Sequence, residues 1–299
     1  MRLLGHPTRL AVLILGMFAH GPTADAESSE PTFQRYQDGR WLVLESDNFR
    51  FRTTRDDFAL EGLAKGYESF RTDFRRDWLG IETASDWTLK CDVFIYGSGH
   101  EYSRQTGLGV STRGCADLEI GDGRVSMRRL HFYCDGDYCR SIVLHELTHV
   151  LLADRFCQFR IPRWVDEGVA IQAEQTPQQA KLHQTLMKAM ADETLPTIDR
   201  LLSGNGYPGG RRNARIFYAQ SASLADYLVT RGSKQALLEF AERTKLSGVD
   251  QALAEVYGIE SVDRLESDWK EWVTAASPKK VDGTVAAVAL EKSEDRSSD

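Results

Sequence analysis

Long apolar runs are scarce in this 299-residue chain. A membrane-spanning helix takes about 20 predominantly apolar residues, and no stretch beyond residue 26 approaches that. A stable membrane span is therefore not expected. Basic charge is also in deficit, with 37 Lys and Arg against 44 Asp and Glu and a net charge of −7. No basic excess marks the chain as a nucleic-acid binder. Cysteine is sparse, at five residues, and no pair has the C-x-x-C spacing of a four-cysteine zinc site. No internal repeat is visible.

The one sustained apolar run, residues 10–19, follows Arg2 and Arg9 and is too short to span a bilayer as a helix. Ala24-Asp25-Ala26 then offers a small-residue cleavage site before the charged Glu27-Ser28-Ser29-Glu30. Residues 1–26 therefore read as an export signal, the alternative being an uncleaved anchor. The mature chain is expected to be secreted or periplasmic. No cysteine lies near the cleavage site, so a lipid anchor is not expected. Residues 276–299 are rich in Ser, Lys, Asp and Glu. Their single apolar island at 285–290 is too small to fold alone, which predicts a flexible tail. An oxidising compartment permits disulfides. Five cysteines allow at most two bridges, and one is expected among Cys115, Cys134 and Cys139. Cys139 and Cys157 flank a single helix about 27 Å apart at 1.5 Å per residue, too far to pair.

Between these ends the periodicity changes character. Residues 40–54 read as a hairpin turning at Asp47-Asn48. Residues 57–79 carry Phe58, Leu60, Leu63, Tyr67, Phe70, Phe74 and Trp78 at helical spacing, with Gly80 as the stop. Strands follow at 88–96 and 124–133, the second entered from Gly121-Asp122-Gly123. From residue 139 onward the pattern is helical, with segments at 141–152, 162–175, 177–192, 213–231, 233–244, 249–256 and 261–274. Strands followed by helices indicate an α+β class: an N-terminal sublobe over 27–138, with a mixed sheet, a long helix and an edge strand, then metal-site helices and a mainly helical sublobe over 139–275.

Within the first of those helices stands His145-Glu146-Leu147-Thr148-His149. Residues four apart share a helix face, so both imidazoles can grip one ion. Glu146 lies beside that ion without being a ligand, placed to act as a general base toward water. A satisfied pair of core histidines is the competing reading. A catalytic zinc site takes three protein ligands and keeps one position open. Glu167, 18 residues after His149, is the candidate third ligand, on a helix whose neighbours Trp164, Val165, Val169 and Ala170 are apolar. Asp166 as ligand, or Glu167 as a solvated surface residue, are the alternatives.

H-E-x-x-H followed by Pro162-x-Trp164-Val165-x-Glu167-Gly168-Val169-Ala170 resembles the gluzincin metallopeptidases, and is most similar to peptidase MA-like domains of exported bacterial proteins. The likeness extends over roughly residues 40–275, including Ser46–Arg50, Val93–Tyr96 and Phe217–Leu224. It implies a zincin-like fold, one Zn2+ held by His145, His149 and Glu167, water activation by Glu146, and a peptide or protein substrate. The chain departs from thermolysin-like enzymes at Ile171, where those carry an Asp that orients a ligand His. Asp166 or a backbone carbonyl is expected to serve instead.

Tyr218 is a candidate oxyanion donor, or else a core tyrosine. The resemblance to zincins implies that the strand at 124–132 forms a cleft edge that pairs with peptide; its Arg124, Arg128 and Arg129 would favour acidic substrates, or else serve only against aggregation. His100, His131 and His183 have no partner pattern. Two other readings compete with a peptidase: a zinc hydrolase of another amide, and a non-catalytic module that binds envelope proteins or peptides.

Overall fold

The computed structural model describes residues 32–55, 59–83, 85–133, 139–173, 176–204 and 206–276. The expected export signal, the expected tail beyond residue 276, Cys134 and the Cys139 side chain lie outside the described residues.

The first half builds one mixed six-stranded sheet. Its strands are β1 (Gln34–Asp38), β2 (Trp41–Glu45), β3 (Phe49–Thr53), β4 (Cys91–Tyr96), β5 (Gly114–Gly121) and β6 (Arg124–Tyr133), in spatial order β1-β2-β3-β4-β6-β5. β1, β2 and β3 pair antiparallel, as do β5 and β6, whereas β4 runs parallel to both β3 and β6. A parallel step needs a crossover. Helix α1 (Leu60–Leu79) supplies the first, and α2 (Gly99–Thr106) lies in the second.

Local chemistry fixes the turns. Asp122 and Gly123 both have positive φ, at 50° and 68°, and Gly121 pairs directly with Arg124. An Asp-Gly pair with both residues at positive φ is the two-residue hairpin turn that matches strand twist. Helix α1 ends on Gly80 in the left-handed region at φ 68°, where a Cβ would clash. Its buried face reaches the sheet through Tyr67, whose ring stands edge-on to Phe49 and Phe51 at 5.2 and 5.1 Å.

The sequence expectation for residues 124–132 requires correction. That segment is β6, and it lies inside the sheet between β4 and β5; β5 is the edge. Arg128 is nearly buried and pairs with Asp154, its guanidinium 4.6 Å over the Trp87 ring. It therefore serves the core rather than a substrate. The cysteine expectation is narrowed in the same way. Cys91, Cys115 and Cys157 are unbridged, so a bridge among Cys115, Cys134 and Cys139 does not use Cys115.

The second half is helical: α3 (Cys139–Arg155), α4 (Arg163–Gln172), α5 (Thr176–Ala191), α6 (Ile198–Ser203), α7 (Arg211–Arg231), α8 (Lys234–Ser247), α9 (Val249–Tyr257) and α10 (Val262–Ala276). Among the described residues no helix is long and apolar enough to cross a membrane. Sheet and helices share one core, in which Phe49, Val93 and Leu130 join Leu147, Val169 and Phe240. The architecture is α+β, with a mixed N-terminal sheet and a mainly helical C-terminal part.

Candidate metal centre

Helix α3 divides into two faces. Val143, Leu147 and Val150, spaced four and three apart, are buried against the core, on the stripe that helical periodicity predicts. His145 and His149 lie on the opposite side and are only partly exposed. Their rings sit 4.9 Å apart at 81°.

Helix α4 is buried from Trp164 through Ile171. Pro162 starts it, and its carbonyl accepts from the Val165 and Asp166 N–H groups. Gly168 lets α4 approach α7 closely: a Cβ there would lie 2.7 Å from the Ser221 carbonyl oxygen and 2.9 Å from Ala225 Cβ. This close packing puts the Glu167 side chain, 2% exposed, against the histidines. Glu167 Oε2 lies 3.4 Å from His145 Nε2 and 3.9 Å from His149 Nε2. One donor atom from each of the three residues falls within 4.8 Å of the others.

Those separations fit a shared cation. Two donors about 2.1 Å from one tetrahedral ion stand about 3.4 Å apart. Glu167 Oε2 is buried with no hydrogen-bond partner among the described residues, a costly state unless a positive charge satisfies it. Two nitrogens and one carboxylate oxygen form a donor set that suits zinc.

Around these three atoms lies a second set of contacts. Asp166 Oδ1 is 2.6 Å from His149 Nδ1, and Asp166 Oδ2 accepts from Arg163 Nη1 at 2.9 Å. With both oxygens engaged away from the cluster, Asp166 orients a histidine rather than adding a ligand. It fills the place that Ile171, buried in the core, leaves open. Burial pulls the His149 pKa down, but the Asp166 carboxylate outweighs it and the net shift is upward. Burial pushes Glu167 up, yet His145, His149 and Tyr207 hold it below the ordinary carboxylate range.

Glu146 points toward the sheet edge. Its Oε2 accepts a hydrogen bond from the Ala116 N–H of β5 at 3.0 Å. Gly114 makes room for it, since a Cβ there would sit 2.7 Å from Ile142 Cγ2 and 3.4 Å from Glu146 Cγ. Burial raises the Glu146 pKa and the Glu167 charge adds to this, against the lowering effect of both imidazoles and the Ala116 N–H.

Tyr218, on α7, has its pKa pushed up to about 12 by burial first and then by the Glu167 charge, so it remains a neutral donor. Its ring lies 6.0 Å from that of Tyr207. Tyr207, in the loop between α6 and α7, donates a hydrogen bond from its hydroxyl to Glu167 Oε1. Nothing local in the sequence ties Tyr207 to a residue 40 positions away. The Arg163–Asp166 link was within reach, since residues three apart on a helix are neighbours. The Ala116 N–H carries no side-chain signature at all. Elsewhere, His131 hydrogen-bonds Tyr96 through Nδ1 at 2.8 Å, away from the cluster.

Residues 134–275 match the family model described as Peptidase MA superfamily. That segment is a Peptidase MA superfamily domain. It begins just before α3 and ends within α10, so it contains His145, Glu146, His149, Glu167, Tyr207 and Tyr218. No curated protein matches the chain. A peptidase-like domain implies a peptide or protein substrate, and the His145, His149 and Glu167 group could hold a metal.

Proposed function

We propose that this chain is an exported, zinc-dependent peptidase that hydrolyses peptide bonds. The observation that carries the reading is the convergence of His145, His149 and Glu167, with the Glu146 carboxylate beside them, in a Peptidase MA superfamily domain. Export rests on the signal-like residues 1–26 alone.

His145 and His149 would hold the ion through nitrogen and Glu167 through Oε2. A bound zinc ion supplies Lewis acidity toward a carbonyl oxygen and lowers the pKa of water to about 7. Glu146 takes one proton from the attacking water as its oxygen bonds to the scissile carbon. As the C–N bond breaks, Glu146 returns that proton to the leaving amine. The Ala116 N–H holds the carboxylate in one orientation for both transfers. Tyr218, neutral at physiological pH, donates to the carbonyl oxygen as negative charge develops there. Asp166 keeps His149 in the tautomer that leaves Nε2 free for the ion.

The test combines elemental analysis with digestion of a mixed peptide library. The expected result is one zinc per chain and cleavage. In Glu146→Gln the zinc should remain while turnover falls by at least about 100-fold. Retained hydrolysis in that variant would overturn the mechanism. Zinc without cleavage of any peptide would favour a binding module instead.

A further inference from the structure

We propose that Tyr207 is a positioning residue that commits Glu167 to a single ligand oxygen and so keeps one coordination vertex open. The proposal rests on the metal-site reading above. A carboxylate has two equivalent oxygens until its surroundings distinguish them. Here Oε2 faces His145 Nε2 and His149 Nε2, at 3.4 and 3.9 Å. Oε1 faces the other way, accepts the Tyr207 hydroxyl, and lies 4.0 Å from Arg163 Nη1.

The hydroxyl is held in place by its ring. The Arg163 guanidinium lies 5.0 Å over the Tyr207 ring, and the Phe217 and Tyr218 rings each approach to 6.0 Å. Tyr207 belongs to neither α3 nor α4. It reaches Glu167 from a separate loop, so its hydroxyl can be removed without changing any residue of the two helices that carry the ligands. With Oε1 occupied by an O–H donor, only Oε2 is available to an ion. Without that donor, Oε1 becomes a buried acceptor lacking its partner. The carboxylate can then satisfy itself by turning both oxygens inward, which fills the position that water and substrate need. A merely structural Tyr207 would act through its ring, and phenylalanine keeps the ring.

The experiment compares metal-free wild type, Tyr207→Phe and Tyr218→Phe on titration with Co2+, followed visibly, and with Zn2+ against a competing chelator. Phenylalanine keeps the Tyr207 ring and its contacts with Arg163, Phe217 and Tyr218, and circular dichroism verifies that the fold is intact. Wild type should give the intense absorption of four-coordinate cobalt. Tyr207→Phe should lose band intensity as the coordination number rises, and zinc affinity should fall about tenfold. Tyr218→Phe, which removes a hydroxyl not bonded to Glu167, should keep the wild-type band. An unchanged band and affinity in Tyr207→Phe would overturn the proposal, as would an equal loss in Tyr218→Phe. Wild type that binds no Co2+ or Zn2+ would bring down the metal-site reading itself, and this inference with it.

Discussion

Asp166 and Glu167 are adjacent carboxylates with different tasks, and the difference lies in their partners. Glu167 directs an oxygen to both Nε2 atoms, whereas Asp166 is taken up by His149 Nδ1 and Arg163. Removing the Asp166 charge should therefore leave the ligands present but less well oriented. Asp166→Asn is expected to weaken zinc binding by about tenfold or more, measured by competition against a chromophoric chelator. An unchanged affinity would show that the ring needs no carboxylate to hold it. At this scale the sequence was informative where spacing carries geometry. His145 and His149 share a helix face by arithmetic alone, and Glu146 follows from its neighbour. It was silent where the contact spans the fold. Tyr207 reaches Glu167 across 40 residues through a loop, and no periodicity describes such a loop.

Between elements, the decisive contact is α4 on α7. Gly168 sits inside a helix, where alanine would ordinarily gain up to about 1 kcal/mol. Its missing Cβ would meet the Ser221 carbonyl oxygen at 2.7 Å, a backbone atom that cannot simply rotate away. Overpacking of that kind costs about 1–3 kcal/mol, so steric conflict wins over propensity. Gly168→Ala is expected to lower the denaturant midpoint, and an unchanged or raised midpoint would refute the close-packing argument. The helices were legible in the sequence because each buries a continuous apolar stripe. β1, α2, α6 and β5 were not. β1 has no buried residue, and β5 at the sheet edge buries only Gly114, so neither carries the alternation that marks a strand buried on one side.

Across the molecule, the half that matches a family model and the half that does not are held in one core, so each depends on the other for its stability. A charged network on the sheet ties the N-terminal strands together. Glu45 on β2 accepts from Tyr36 of β1, Arg50 of β3 and Lys90 next to β4. Burial raises the Glu45 pKa, but the hydrogen bonds from Arg50, Lys90 and Tyr36 prevail and hold it at about 2, below its ordinary 4.5. A folded value below the unfolded one means stability that is present in full above pH 4.5 and is lost as pH falls toward 2. Thermal melts over that interval should show wild type losing stability more steeply than Glu45→Gln. Parallel curves would place the acid sensitivity elsewhere.

The hydrogen bond that fixes Glu146 comes from main chain, and this bears on how the site withstands mutation. Any amino acid with an amide hydrogen supplies the same donor at position 116, so drift there leaves the tether untouched. Proline alone lacks that hydrogen. Because the Ala116 N–H is given to Glu146 and not to β6, and edge strands accept proline where the N–H faces outward, a single codon change removes the tether of the proposed general base while leaving the sheet intact. The vulnerability of this centre thus includes a position whose donor to Glu146 does not depend on its side chain, proline excepted.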